Sequence, residues 1–139
     1  MSVNLRTSPV LTQRSRETAG LVLIYLGALV LVASSITKFA HLPPVVAQLT
    51  TAEFGGQKIL LVASLEILSA ALFLVPKTRS IGILVISAFL GAAFAAHVET
   101  GEYASGVAPA MLLCICWLGA WLRCPKVLWS LDRDAITRK

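Results

Sequence analysis

Residues 19–39 read AGLVLIYLGALVLVASSITKF, and no side chain from Ala19 to Thr37 is charged. A helix rises 1.5 Å per residue and the hydrocarbon core of a bilayer is about 30 Å thick, so a crossing needs about 20 mostly apolar residues. This run supplies them. Three more follow at 57–75, 80–98 and 103–122. Their punctuation fits helices that stop at each surface. Pro43 and Pro44 close the first run, Gly55 and Gly56 precede the second, Pro76 ends it, and Pro125 follows the fourth. The spacing predicts an all-α fold, an integral membrane four-helix bundle.

Composition agrees. Only 14% of the 139 residues are charged and 57% are hydrophobic, with a mean hydropathy of +0.81. A soluble domain carries about 25% charged residues, and four runs this apolar leave too little polar sequence to cover a water-facing surface. The net charge of +5 does not point to nucleic acid, because the basic residues cluster at the ends of apolar runs, where anionic lipid headgroups lie.

Four crossings put the N-terminus, the second loop and the C-terminus on one side. That side holds Arg6, Arg14, Arg16, Lys77, Arg79, Arg123, Lys126, Arg133, Arg138 and Lys139; the other holds only Lys38 and Lys58. The positive-inside rule then places both termini in the cytoplasm, in a multi-pass protein of a bacterial-type cytoplasmic (inner) membrane. A secretory leader is the alternative for the first run, since Val32, Ala33, Ser34 and Ser35 resemble a cleavage site, but the apolar stretch continues to Phe39.

The organisation expected is a flexible basic segment over 1–18, a four-helix domain over 19–123 and a basic cytoplasmic tail over 124–139. Residues 44–54 read as a short amphipathic helix on the outer surface. Helices in lipid associate through close packing of small residues. Ser87, Gly91 and Ala95 on the third span, and Gly106, Ala110 and Cys114 on the fourth, form two such seams, which predict a tight contact involving spans three and four or, alternatively, a face for a neighbouring subunit. Pro109 is expected to bend the fourth span near its outer end. Cys114, Cys116 and Cys124 contain no Cys-x-x-Cys pair and read as small packing residues.

An ionisable side chain inside a bilayer costs about 2.5 to 3.5 kcal/mol even on lenient scales, so each one needs a reason. Glu66 stands near the middle of the second span, with Ser69 one turn onward. The first span carries Ser34, Lys38 and His41 on one face of its outer third, and the third brings His97, then Glu99 and Glu102, to similar depth. Lys38 can reach toward Glu66 if the first two spans are antiparallel neighbours. The candidate catalytic residues are therefore Glu66, Lys38 and His97. Lys38, His41, Glu66 and His97 are the candidate quinone pocket, because quinone carbonyls need donors and quinone reduction consumes protons. A static ion-pair lock is the competing reading. Two histidines without a further well-spaced ligand give no metal site, and no phosphate loop, nucleophile elbow or covalent haem motif is present.

Several short motifs stand in a recognisable order: Ile36, Thr37, Lys38 and Phe39 before Pro43 and Pro44; Leu65, Glu66, Ile67 and Leu68 running to Pro76; Gly91 through His97 before Gly101; then Pro109 and the closing Trp117, Leu118, Gly119, Ala120, Trp121, Leu122 and Arg123 before Pro125. In this order the chain resembles the DoxX-like family of small four-span membrane proteins over residues 20–126. It departs where the family often has glycine about four residues before the lysine, since Ser34 stands there. The resemblance implies a four-helix membrane bundle linked to redox assemblies, including subunits associated with quinone-linked sulfur oxidation, while other relatives look like assembly factors. The expected function is a component of a larger redox-related membrane complex that binds quinone in an outward-facing pocket. The alternatives are a noncatalytic subunit or assembly factor whose buried charges lock the helices and, with less support, a small-solute or proton transporter. The chain has no intrinsic electron carrier, so a two-electron reaction would need a partner. Expected partners are membrane lipids and other membrane subunits or further copies of the chain.

Overall fold

The computed structural model describes residues 9–43 and 57–124. Among these there are four helices and no strand: α1 (Pro9–Phe39), α2 (Gln57–Leu74), α3 (Arg79–Glu99) and α4 (Tyr103–Arg123). The boundaries of α2, α3 and α4 lie within one residue of those read from hydropathy. Each end has a local cause. Past α1, His41 takes a left-handed φ of 49°, and the His41 and Leu42 amides donate to the Lys38 and Thr37 carbonyls at 3.1 and 3.2 Å. Past α3, Gly101 has φ 76°, and the Gly101 and Glu102 amides donate to the Val98 and His97 carbonyls at 3.2 and 2.9 Å. Both are Schellman closures, which satisfy carbonyls a helix end leaves unpaired. At the foot of α2, Arg79 does this with its side chain, donating through Nε to the Phe73 carbonyl at 3.1 Å and through Nη2 to that of Leu74 at 3.2 Å.

The first helix differs from expectation. It begins at Pro9, so residues 9–18, read as flexible, are helical. Their sequence lacks apolar periodicity, but Glu17 and Arg16 meet α4: Arg123 Nη1 donates to Glu17 Oε2 at 2.9 Å, and the Arg16 guanidinium lies 4.6 Å from the centre of the Trp121 ring. The amphipathic helix expected over 44–54 lies outside the described residues, as do residues 1–8 and the tail beyond Cys124.

The helices close a ring in which α1 packs on α2 and α4, and α3 packs on the same two neighbours. Ile24, Ala28 and Leu31 of α1, Ala70 and Phe73 of α2, Ile83, Ile86 and Leu90 of α3, and Cys116 and Ala120 of α4 meet in one core. Close backbone approaches fall at Gly82 of α3, against Phe73 of α2, and along the contact of α1 with α4. A Cβ added at Gly20 would lie 2.6 Å from the Arg123 backbone nitrogen, one at Gly27 would lie 2.6 Å from Cys116 Sγ, and one at Gly119 would lie 3.0 Å from the Ile24 nitrogen. A tight seam therefore joins α1 to α4. Between α3 and α4, Gly106 faces Phe94 and His97, and Trp117 Nε1 donates to Ser87 Oγ at 2.9 Å, but Gly91 faces open space and Cys114 points outward. Small residues at four-residue spacing mark a face that permits close approach; which neighbour arrives depends on the whole ring.

α1 from Gln13, α3 and α4 are long and apolar enough to cross a membrane. Only 22% of the apolar window of α3 is buried in the bundle, so most of that greasy surface needs lipid. Val22, Tyr25, Leu29, Leu61, Leu84 and Met111 all face outward. α2, with 18 residues and a length of about 27 Å, runs beside them as the fourth rod of an integral membrane bundle.

Candidate functional site

Ser35 Oγ donates to the Ala63 carbonyl at 2.6 Å, which fixes the level at which α1 meets α2. From that level, geometry brings the charges together. Every Cα–Cβ bond of a helix tilts toward the helix N-terminus. On antiparallel neighbours, Lys38 therefore leans down from near the end of α1 while Glu66 leans up from the middle of α2, and the gap closes.

Lys38 Nζ donates to Glu66 Oε1 at 2.8 Å, to Glu66 Oε2 at 2.9 Å and to Ser34 Oγ at 2.6 Å. Ser34 Oγ in turn donates a hydrogen bond to Glu66 Oε1 at 3.1 Å, so the three side chains form a closed triangle. Lys38 is 8% exposed and Glu66 3% exposed. An ammonium has three N–H bonds, and four acceptors surround this one, the Ser34 carbonyl at 3.5 Å being the fourth. Ser69 supports the acid from below by donating to the Glu66 carbonyl at 2.9 Å. No buried side-chain nitrogen or oxygen among the described residues lacks a hydrogen-bond partner.

The two histidines stand elsewhere. His97 Nδ1 lies 3.4 Å from Glu102 Oε2, on the α3–α4 corner, and α3 sits across the ring from α1. His41 is exposed, with its Nδ1 2.9 Å from the Phe39 carbonyl. Of the four pocket residues named from sequence, the structure thus brings Lys38 and Glu66 into contact, places His97 on Glu102 and leaves His41 at a helix cap. Ser34 is the member whose importance sequence reading understated. Its signal was the Ser34-to-Lys38 step of one helical turn, which puts a hydroxyl beside the amine.

A model of the DoxX-like family matches residues 22–119, a stretch that contains the whole triangle and the tight seam from Ile24 to Gly119. The chain belongs to the DoxX-like family. No curated protein and no solved structure matches it. In this DoxX-like protein, the Ser34 hydroxyl links lysine to glutamate. Without it, the Lys38 ammonium would lose its contact at 2.6 Å while keeping those to both Glu66 oxygens. The arrangement has a clear chemical capacity: it holds a buried ion pair and ties α1 to α2 at one register.

Proposed function

We propose that this DoxX-like protein is a noncatalytic transmembrane component of a larger, redox-related membrane assembly, in which the Lys38–Ser34–Glu66 triangle locks its helices. The observation that carries the reading is the saturation of the Lys38 ammonium. A quinone carbonyl needs a free donor, and here acceptors within the protein surround the ammonium on every contact that the structure gives it. The histidines that would supply other donors lie on a different corner or at an exposed cap. The quinone reading therefore has less support, because ligand binding would first have to break an ion pair shielded from water.

The basic residues favour a cytoplasmic location for both termini in a bacterial-type inner membrane. Arg14, Arg16, Lys77, Arg79 and Arg123 gather at the end of the bundle where α1 begins, while Lys38 is neutralised by Glu66. The apolar outward faces suit lipid and neighbouring subunits alike.

Native mass spectrometry of the protein, extracted gently from its own membrane, tests the reading. Stoichiometric association with other membrane subunits, retained in a Lys38→Met/Glu66→Leu double variant that still folds, is the expected result. A free monomer or homo-oligomer carrying a quinone-sized adduct that the double variant loses would overturn it in favour of a quinone site at Lys38 and Glu66.

A further inference from the structure

We propose that Arg16, stacked on Trp121, is an anchor for the phosphate of an anionic phospholipid at the end of the bundle where α1 begins and α4 ends. This is independent of the assembly role above. Three observations support it. First, the guanidinium of Arg16 lies 4.6 Å from the centre of the Trp121 ring. A stacked arginine uses its face on the ring and leaves its five N–H bonds in plane, pointing away, in the fork that matches two phosphate oxygens.

Second, the nearby acid is already engaged. Glu17 Oε2 accepts from Arg123 Nη1 at 2.9 Å and Glu17 Oε1 accepts from Gln13 Nε2 at 3.2 Å. Arg79 donates to the Phe73 and Leu74 carbonyls, and Arg79 and Arg123 lie close enough to feel each other's charge. Glu17 is the acidic side chain among the described residues at this end, which also holds Arg14, Arg16, Lys77, Arg79 and Arg123. Among the described residues, basic side chains thus outnumber acidic ones at this end.

Third, the platform selects the source. Trp121 is 45% exposed and stands two residues from the end of α4, on the lateral surface of an apolar helix where indoles sit at headgroup depth. An anion reaching Arg16 across that ring comes from the lipid leaflet rather than from a closed cleft in the protein. Phosphatidylglycerol and similar headgroups have the required chemistry, a phosphodiester carrying net negative charge.

Titration of the full-length protein in detergent with phosphatidylglycerol or phosphatidylcholine, read by native mass spectrometry, tests this. The wild type should retain phosphatidylglycerol preferentially, and Arg16→Gln should weaken that retention about fivefold, the worth of one cation near an anionic surface. Trp121→Leu, which keeps the charge but removes the platform, should also weaken it, while Lys58→Gln at the opposite end should match wild type. The same preference in Arg16→Gln as in wild type would overturn the proposal. Displacement of the lipid by millimolar inorganic phosphate would overturn it too, by showing that a soluble anion is the ligand.

Discussion

Replacing Glu66 by glutamine removes one charge of a pair that the structure buries almost completely. The amide can still accept one hydrogen bond, but the ammonium of Lys38, a residue only 8% exposed, is left with no counter-charge, and the contacts at 2.8 and 2.9 Å lose their ionic partner. Breaking a buried pair from one side costs about 3 to 5 kcal/mol, whereas replacing both partners by apolar groups is often neutral or stabilising. Glu66→Gln and Lys38→Met should therefore each cost about 3 to 5 kcal/mol, and the double variant Lys38→Met/Glu66→Leu should return to within about 1 kcal/mol of wild type. The assay is reversible unfolding in mixed micelles, followed by helical circular dichroism as denaturing detergent is added, with the coupling energy taken from the double-mutant cycle. The reasoning is refuted if each single change costs less than about 1 kcal/mol, or if the double variant loses the sum of the two single losses.

Other consequences follow from the packing and the caps. Gly82→Ala should be strongly destabilising, because the new methyl would meet the Phe73 backbone, whose Cα lies 2.6 Å from its position, whereas Gly91→Ala faces open space and should be neutral or slightly stabilising in the same unfolding assay. His41→Gly should raise stability by about 1 kcal/mol, since glycine adopts the left-handed conformation without the penalty a Cβ brings. If the thermal midpoint falls instead, the His41 ring has a role beyond closing the helix. Arg79→Gln strips the Phe73 and Leu74 carbonyls of their donor and should cost about 1 to 3 kcal/mol, most visibly as faster hydrogen exchange in the last turn of α2.

Read alone, the sequence determined the number, order and limits of the apolar rods. Hydropathy runs, prolines and glycines act locally, so α2, α3 and α4 were placed to within a residue, and the need for lipid followed from there being too few polar residues to cover a soluble surface. The sequence also identified Lys38 and Glu66, because a charge among apolar neighbours is costly wherever the helix lies. What it left open depended on which helix faces which. Hydropathy does not distinguish a ring that sets α3 opposite α1 from one that sets them side by side, and on that choice rests the separation of His97 from Lys38. The same choice makes a tight seam of α1–α4, since Gly20, Gly27 and Gly119 gain their meaning only when α4 returns to close the ring. It also made residues 9–18 helical: their polar sequence has no reason to fold alone, and Glu17 and Arg16 find Arg123 and Trp121 only once the bundle has formed. Local chemistry sets where a helix starts and stops, whereas partner choice is a sum over many weak contacts in three dimensions, and only the tertiary structure performs that sum.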